Sequence, residues 1–405
     1  MKLVAAWLDW PEVKTLAAAF AQAGFTLRFV GGCVRDTMLG REIHELDAAT
    51  DALPEQVVAL LEAANIRAIP TGIAHGTVTA LVGGRSVEIT TLRKDVATDG
   101  RHAEVAFGTS WEEDAQRRDF TMNALYAGMD GALYDPVHGL EDCKARQVKF
   151  IGDAASRIRE DYLRILRYFR FVATVGNNQF DEAALSACAA NKEGITRLSG
   201  ERIQQELLKL LAAPETFPAL TAMQDCGVLQ VIFPAVCLNV SCQRRLASSN
   251  SALLKLAALI GDVSSIAAVA DRLKLSGKQS KQLAAWLTHA PSIVPGMSEL
   301  AQKKLVRKLG AEDYQNAVRL AYCLSPSPHA GEDWGGGWSH LAAMANWQPP
   351  IFPVTAADLM ERGYAEGKAL GDTLKELEKS WEESGYQKTR EELITLPPLH
   401  PPLSH

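Results

Sequence analysis

The sequence predicts an α+β protein in which a mixed α/β head precedes a series of helical domains. Strand-like runs of β-branched and apolar residues lie early in the chain, at 26–31, 45–49, 66–70, 76–82 and 86–92. Beyond residue 150, apolar residues recur at helical spacing almost to the end. The length of 405 residues also exceeds what one ordinary hydrophobic core can organise.

Individual elements follow from the same patterns. Within the head, helices are predicted at 11–23 and 54–64, and Gly83-Gly84 between two strand-like runs predicts a hairpin turn. Later helices are predicted at 154–173, 201–212, 252–260, 264–275, 278–288, 299–309 and within 355–394. The Ser-, Pro- and Gly-rich stretch 325–337 predicts a linker.

Composition narrows the class of protein. The net charge of −6 gives no global basic field, so any nucleic-acid binding must rely on local patches. Seven cysteines, an odd number without a CxxC pair, predict reduced thiols in a cytoplasmic protein rather than a disulfide framework. The N-terminus lacks the pattern of a secretory signal, and no run of about 20 apolar residues is present, so we expect no membrane span.

One stretch of the head carries the clearest chemical pattern. A strand-like run ends in Gly31-Gly32, and Arg35 follows closely. A glycine turn lets backbone N–H groups approach an anion, and a guanidinium supplies positive charge for phosphate. Glu45 and Asp47 come next at i and i+2, a spacing that points both carboxylates to one face of a strand. Adjacent carboxylates repel unless a cation lies between them, so the pattern predicts Mg²⁺ and a nucleoside triphosphate.

A third carboxylate would complete such a metal site. Glu88, within a strand-like run, is the best candidate, and a solvent-facing strand residue is the alternative interpretation. Carboxylates arranged in this way can hold two Mg²⁺ ions, which activate an attacking hydroxyl and stabilise a leaving pyrophosphate.

Two helical segments carry unusual polar residues. Residues 110–125 are predicted as a helix with a polar cluster that could bind triphosphate oxygens or could reflect helix electrostatics alone. The members of that cluster are Arg117, Arg118, Asp119 and Asn123. Residues 158–171 are predicted as a helix on which an aspartate and three arginines recur every third residue, a pattern also typical of a salt-bridged surface. These residues are Asp161, Arg164, Arg167 and Arg170.

The polar, glycine-containing segment 93–105 predicts a mobile loop beside the site, with an ordinary surface loop as the simpler alternative.

Several motifs together resemble one known family. They are VGGCVRD, ELDAAT, TGIAHGTVT, RRDFTMNAL, YDPVHGLED, REDYLRILRYFRF and RLSGERIQQEL, in that order along the chain. In this order they resemble class II tRNA nucleotidyltransferases, the CCA-adding enzymes, which are relatives of bacterial poly(A) polymerase. The resemblance is dense over about residues 26–210. The later stretch FPVTAADLMERGYAEGKALG is similar to the tail of the alphaproteobacterial type.

The resemblance implies a four-part architecture and an activity. A polymerase β-like nucleotidyltransferase head would occupy residues 1–150, followed by a helical neck at 151–213 that recognises the base. A helical body would occupy 214–335, and a helical tail that binds tRNA would occupy 336–405. The activity implied is template-independent addition of CCA to the 3′ end of tRNA from CTP and ATP, with Mg²⁺ and without an obligatory protein partner.

The resemblance also implies roles for single residues. Gly32 and Arg35, beside Gly31, would contact the nucleotide, as would Arg118, while Glu45 and Asp47 occupy the metal-binding positions. Base reading and phosphate binding would fall to Asp161, Arg164, Arg167 and Arg170. The segment 93–105 is similar to the flexible element that family members need for adding the final A. We expect tRNA contacts from basic residues of the helical domains, with a solvated helix face as the alternative for each: Arg272, Lys274, Lys278, Lys281, Lys303, Lys304, Arg307 and Lys308.

One position departs from the family pattern. The family has Asp-x-Asp at the metal site, whereas this chain has Glu45-x-Asp47. Because Mg²⁺ demands near-ideal octahedral geometry, a carboxylate moved by one methylene predicts slower chemistry. Two alternatives follow: a weakly active tRNA-binding relative, and a bacterial poly(A) polymerase, which usually carries a long basic C-terminal extension.

Overall fold

The computed structural model describes residues 2–73, 76–98, 103–108, 110–234, 238–246, 249–325 and 337–395. The chain divides into two compact units. The first comprises Met1–Val236, Ala247–Ala252 and Ala268–Leu275, and the second comprises Cys237–Leu246, Leu253–Ala267 and Ser276–His405. The first unit thus contains the predicted head and neck, and the division into four domains stays a prediction. All but the two ends of the predicted linker 325–337 lies outside the described residues.

The head is built on a mixed sheet of seven strands. In chain order the strands of the protein are β1 (Leu27–Val30), β2 (Leu46–Thr50), β3 (Arg67–Gly72), β4 (Thr77–Val82), β5 (Arg85–Thr91), β6 (Arg93–Thr98), β7 (Ala103–Phe107), β8 (Tyr126–Ala127) and β9 (Leu133–Tyr134). The large sheet has the order β3-β4-β5-β2-β1-β8-β9. In it β2 and β5 pair in parallel and the other neighbours pair antiparallel. The presence of both parallel and antiparallel pairs confirms the predicted mixed sheet. The five predicted strand-like runs correspond to β1–β5.

The register of the parallel pair positions two carboxylates. Asp47 on β2 lies opposite Glu88 on β5, so their side chains emerge beside each other on one face of the sheet. The hairpin between β4 and β5 turns at Gly83 and Gly84, whose φ angles are +56° and +81°. Two consecutive positive φ angles suit glycine because it has no Cβ. The predicted hairpin turn is confirmed.

The segment 93–105 differs from the prediction of a loop. β6 and β7 form a separate two-stranded antiparallel sheet, in which Arg93 pairs with Phe107. The valines and threonine in this polar segment favour extended backbone. Residues 99–102, which include Arg101 and connect the two strands along the chain, lie outside the described residues.

Helices make up most of the remaining chain. The first eleven are α1 (Pro11–Gln22), α2 (Gly32–Met38), α3 (Pro54–Ala63), α4 (Trp111–Gln116), α5 (Gly139–Lys144), α6 (Ala154–Glu160), α7 (Leu163–Thr174), α8 (Glu182–Asn191), α9 (Gly200–Leu211), α10 (Phe217–Asp225) and α11 (Val228–Ile232). The later ones are α12 (Ala252–Ile260), α13 (Ile266–Leu273), α14 (Gly277–His289), α15 (Glu299–Leu309), α16 (Ala311–Leu324), α17 (Trp338–Ala343), α18 (Ala356–Met360), α19 (Lys368–Glu383) and α20 (Arg390–Ile394). The helical character beyond residue 150 is confirmed.

Two predicted helices are interrupted at functional positions. The segment 110–125 is α-helical only over Trp111–Gln116; Phe120 then pairs with Phe150 as an isolated β-bridge, and Thr121–Asn123 form a short 3₁₀ helix. The segment 158–171 breaks at Asp161, whose φ and ψ angles of −150° and 106° are extended. Asp161 is therefore the C-cap of α6 and does not lie on one helix with the three arginines, which α7 carries.

An aromatic core joins the sheet to α7 within the first unit. The ring of Phe120 lies 4.9 Å from that of Phe150 and 5.4 Å from that of Phe171, measured between centroids. Tyr168 stacks on Phe150 at 5.7 Å. All four side chains are buried. Burial of large aromatic surfaces fixes α7 against the turn that carries the polar cluster.

The second unit has its own core around α19. Leu370, Leu377 and Trp381 are buried there with Leu393 and Tyr386. Among the described residues, no single helix is long and apolar enough to cross a membrane; Ala252–Ile260 with Val263–Leu273 meets the criteria of length and composition only as a pair bent by 107°.

Candidate active site

A pocket of about 580 Å³ lies in the first unit and collects most of the predicted site. It is lined by Gly31, Gly32, Arg35, Glu45, Asp47, Arg93, Arg117, Arg118, Asp119, Asn123, Asp161, Arg164, Arg167, Arg170, Phe171 and Lys209. Every predicted catalytic, metal-binding or nucleotide-binding residue except Glu88 belongs to this lining. Seven arginines and one lysine face four carboxylates across the pocket, so its charge favours a polyanion next to a cation site.

The glycine turn and Arg35 form one wall of the pocket. Gly31 has a φ angle of +74°, which lets β1 turn directly into α2. Arg35 is only 8% exposed. Its Nη1 donates to Oδ1 of Asn123 at 2.6 Å, while Nε and Nη2 donate to the two carboxylate oxygens of Asp36 at 3.0 and 2.8 Å. The guanidinium is thus held in one orientation at the pocket.

The carboxylates of β2 form a second wall. Asp47 is half-buried, Glu45 immediately before the strand is exposed, and both line the pocket. Burial and the neighbouring charges of Glu88 and Glu45 raise the pKa of Asp47 to about 6. Asp47 is therefore harder to ionise than an ordinary aspartate, and a cation bound beside it would lower its pKa. Carboxylate oxygens are hard ligands that suit a divalent ion.

Glu88 stays a predicted third ligand. It lies opposite Asp47 in register and contributes to the raised pKa of that residue, but its side chain is exposed and does not line the pocket. Among the described residues, no group of three or more His, Cys, Asp or Glu side chains is arranged to hold a metal ion alone. Two carboxylates, those of Glu45 and Asp47, line the pocket, and their oxygens are hard donors that suit a divalent ion.

Asp114 holds the two arginines of the polar cluster. Its side chain is buried and accepts hydrogen bonds from Nε and Nη2 of Arg117 at 3.0 and 2.6 Å. The other oxygen accepts from Nε and Nη2 of Arg118 at 3.1 and 3.0 Å and from the Tyr126 hydroxyl at 2.7 Å. Although burial opposes ionisation, Arg118 and Arg117 lower the pKa of Asp114 to about 2. The carboxylate thus fixes both guanidinium groups beside the pocket.

We expect Asp114→Asn to destabilise the first unit in a pH-dependent manner. The pKa of Asp114 falls from 3.8 in the unfolded chain to about 2 in the folded protein. Its stabilisation is therefore full above about pH 5 and is lost progressively as the pH falls through about 2, with a value of about 2 kcal/mol. The difference in free energy of unfolding between wild type and variant, from calorimetry, should shrink between pH 5 and pH 2. Asp225→Asn, at an exposed position, is the control; a difference independent of pH would contradict the expectation.

Asp119 links the head to α7. Its Oδ2 accepts from Nε and Nη2 of Arg167 at 2.8 and 2.6 Å, and its Oδ1 accepts from Nδ2 of Asn123 at 3.0 Å. Burial opposes ionisation, but Arg167 and Asn123 lower the pKa of Asp119 to about 2. The four residues of the predicted polar cluster thus all line the pocket, but they do not lie on one helix. Asp119 orients Arg167, and Asn123 orients Arg35.

Asp161 and Arg164 both reach the pocket from the break between α6 and α7. Oδ1 of Asp161 accepts the Leu163 N–H at 3.0 Å, and Oδ2 accepts Nη2 of Arg202 at 2.8 Å. Arg164 donates to Oε2 of Glu160 at 2.7 Å and to the carbonyl oxygens of Arg157 and Arg117 at 2.8 and 3.0 Å. The alternative of a salt-bridged helix is thus partly correct, because Glu160–Arg164 is an i, i+4 ion pair.

Two lining residues, Phe171 and Lys209, were missed by sequence reasoning. Phe171 is an apolar residue at the end of the predicted helix 158–171, and Lys209 comes from α9, far along the chain. The amphipathic pattern of the RLSGERIQQEL region could have indicated that α9 packs on α7. Glu206 of α9 also pairs with Nε of Arg170 at 2.5 Å.

Four of the residues predicted to contact tRNA have partners within the protein. Lys274 pairs with Asp271, and Lys303 pairs with Glu299. Arg272 donates to the carbonyl oxygens of Ile195 and Leu198 at 3.2 and 3.5 Å within the first unit. Arg307 pairs with Glu378 in the second unit. Among all the candidates, the exposed side chains are Lys274, Lys278, Lys281 and Lys308.

Comparison with known proteins identifies the family of this chain. The family model described as "Poly A polymerase head domain" matches residues 27–149, and "Probable RNA and SrmB- binding site of polymerase A" matches residues 179–238. The chain is 38% identical over 393 residues to the mitochondrial CCA tRNA nucleotidyltransferase 1 of Danio rerio, covering 94% of this chain and 89% of the relative. The chain belongs to the CCA tRNA nucleotidyltransferase family.

Other members of the family are also similar to this chain in sequence or in structure. The CCA-adding enzyme of Levilactobacillus brevis is 33% identical over 392 residues, covering 91% of this chain and 93% of that enzyme. The crystal structure of the Bacillus stearothermophilus CCA-adding enzyme in complex with CTP superposes with a TM-score of 0.75 at 27% identity, covering 92% and 93% of the two chains. A Thermotoga maritima CCA-adding enzyme complexed with tRNA_CCA shares the fold, with a TM-score of 0.66 at 17% identity.

Membership of the CCA tRNA nucleotidyltransferase family confirms two predictions. The chain has a polymerase-type nucleotidyltransferase head, a fold that indicates use of a divalent metal ion. Its remainder is helical, as in the α+β architecture predicted. The likeness of the last segment to the alphaproteobacterial type stays a prediction.

Proposed function

We propose that this chain adds C, C and A to the 3′ end of tRNA, using CTP and ATP in a Mg²⁺-dependent transfer at the pocket of the first unit. The observation that carries the proposal is the pocket itself, where Glu45 and Asp47 face the arginines of α2 and α7. The family relatives named for CCA addition, at 33% and 38% identity over nearly the whole chain, support the same reaction.

Glu45 and Asp47 would hold Mg²⁺. When bound, the ion supplies positive charge that lowers the pKa of an attacking hydroxyl and stabilises charge on phosphate oxygens. The raised pKa of Asp47 and the exposed, reachable carboxylate of Glu45 support this assignment. Glu88 is the candidate for a further ligand from the neighbouring strand.

The arginines would bind the triphosphate and the leaving group. The 3′-hydroxyl of tRNA attacks the α-phosphate, the bond between the α- and β-phosphates breaks, and pyrophosphate leaves with its negative charge. Arg35 and Arg118 lie in the head, and Arg167 and Arg170 lie on α7. Each is held by a carboxylate, so their charge is directed at the pocket without reorganisation when the substrate binds.

Asp161 and Arg164 would choose the base. Cytosine and adenine both present an amino donor beside a ring-nitrogen acceptor. An ionised aspartate only accepts hydrogen bonds and arginine only donates them, so Asp161 can take the amino hydrogen while Arg164 donates to the ring nitrogen. Uracil and guanine present a carbonyl beside an N–H, which sets acceptor against acceptor and donor against donor. Each unpaired group costs roughly 1–3 kcal/mol.

The product ladder from labelled tRNA tests this function. The purified protein is incubated with tRNA lacking CCA, with each nucleoside triphosphate alone and with CTP plus ATP. We expect two additions with CTP alone and three with the mixture, after which extension stops. Extension with ATP alone that continues, or that uses an unrelated RNA equally well, would instead identify a poly(A) polymerase.

The carboxylate of Glu45 allows a second test. Because Mg²⁺ prefers strict octahedral geometry, we expect Glu45→Asp, which restores the family pattern, to raise the rate of CTP addition several-fold. The rate is measured under single-turnover conditions, with Glu42→Asp at an exposed neighbouring position as the control. If both forms bind tRNA but neither adds a nucleotide, the chain is a tRNA-binding relative. A slower Glu45→Asp variant would show that this scaffold requires the longer side chain.

A further inference from the structure

Three of the proposed phosphate-binding arginines surround one aromatic ring. The guanidinium carbon of Arg170 lies 4.0 Å from the ring centroid of Phe171, and those of Arg35 and Arg167 lie 5.0 and 5.3 Å from it. Arg167 and Arg170 precede Phe171 on α7, whereas Arg35 comes from α2. Phe171 itself lines the pocket and is 5% exposed. The ring is therefore shared by cations from two separate elements.

This arrangement reduces the electrostatic repulsion between the three guanidinium groups. Guanidinium groups gathered to bind a triphosphate repel one another when no substrate is present. Carboxylates can relieve this repulsion, as Asp36, Asp119 and Glu206 do for these arginines. Each added carboxylate, however, also reduces the attraction for phosphate. The face of an aromatic ring attracts cations through its quadrupole and carries no formal charge, so it stabilises the group without reducing its net charge.

The ring is held in one orientation by its neighbours. Phe120 contacts Phe171 edge-on, with 5.4 Å between centroids and 70° between ring planes. Phe120 is fully buried and lies in the turn that also carries Asp119, the carboxylate partner of Arg167. The orientation of the ring beside the arginines is thus fixed by the same turn that orients one of them.

We propose that Phe171 is a positioning residue, which keeps Arg35, Arg167 and Arg170 together for the triphosphate of the incoming nucleotide and for pyrophosphate. The role rests on the proposed function, since it assigns the three arginines to phosphate binding. It acts through the negative face of the ring and not through apolar volume alone.

Binding of inorganic pyrophosphate to the full chain tests the proposal. Phe171→Leu removes the ring, and replacement of Phe171 by pentafluorophenylalanine keeps its shape but reverses the sign of its face. We expect both changes to weaken pyrophosphate binding, measured by isothermal titration calorimetry, by about tenfold. KM for CTP should rise similarly, while kcat at saturating CTP changes by less than about threefold. The fluorinated variant keeps the test valid if Phe171→Leu fails to fold.

Phe150→Leu is the matched control. Phe150 belongs to the same aromatic core and is 7% exposed, but its ring contacts Phe120 and Tyr168 and does not line the pocket. It should bind pyrophosphate as wild type does. Wild-type affinity in the fluorinated variant, or an equal loss in Phe150→Leu, would overturn the positioning role while CCA addition by wild type stands. A wild-type protein that neither binds pyrophosphate nor extends tRNA would overturn the proposed function as well.

Discussion

Asp47→Asn is expected to reduce the rate of nucleotide addition by about a thousandfold or more, the largest effect of any single substitution in the pocket. Asp47 is the more buried of the two carboxylates, and burial together with the charges of Glu88 and Glu45 raises its pKa. An amide keeps the shape but supplies no negative charge for a metal ion. The rate is measured with labelled tRNA lacking CCA, CTP and saturating Mg²⁺.

Two controls separate loss of the metal from loss of the fold. Glu42→Gln removes an exposed carboxylate from the same segment and should leave the rate within about twofold. Binding of CTP in the presence of EDTA should persist in Asp47→Asn, because the arginines are unchanged and one repulsive charge is gone. A variant that still extends tRNA at a tenth of the wild-type rate would remove Asp47 from the metal site.

Arg164→Ala is expected to lower the preference for CTP over UTP, expressed as a ratio of kcat/KM, by about a hundredfold. In the proposed pairing scheme this guanidinium donates to cytosine and opposes the N–H of uracil. Its loss should therefore weaken the recognition of CTP and relieve the conflict with UTP. Affinity for pyrophosphate should change much less, because Arg35, Arg167 and Arg170 remain. Competition between the two nucleotides on one labelled tRNA measures the ratio directly.

Arg157→Ala is the matched control for this substitution. Arg157 also pairs with Glu160, at 2.8 Å, and donates to the carbonyl oxygen of Arg118 at 2.9 Å, but it does not line the pocket. It should therefore perturb the same ion-pair network without changing base choice. Equal losses of base choice and pyrophosphate affinity in Arg164→Ala would contradict the pairing scheme.

Sequence reasoning succeeded where the determining interactions are local. The five head strands, the glycine hairpin and the juxtaposition of Glu45 with Asp47 each follow from residue type and a short spacing. The spacing of Arg164, Arg167 and Arg170 likewise placed them correctly on one helix, because helical periodicity is a local property.

The predictions from the sequence are wrong where contacts with distant segments determine the backbone conformation. The helix predicted over 110–125 ends early, and Phe120 beyond it pairs with Phe150, thirty residues later in the chain. The break at Asp161 coincides with a hydrogen bond to Arg202, which is 41 residues away. Phe171 and Lys209 were not predicted because the pocket that they line is formed by residues distant in the sequence. A periodic pattern alone assigns an apolar helix residue such as Phe171 to the core.

Hydrogen bonds join the head to α6 and α7, as in Arg157 with Arg118 and Arg167 with Asp119. These bonds affect how such an enzyme can be divided or recombined. A fragment ending at residue 150 would keep Asp119 but lose Arg167, and would strip Phe120 of its packing against Phe171. We therefore expect the polymerase-like portion to be less stable on its own, and a chimaera between relatives keeps these contacts if it exchanges residues 1–211, through the end of α9, as one piece.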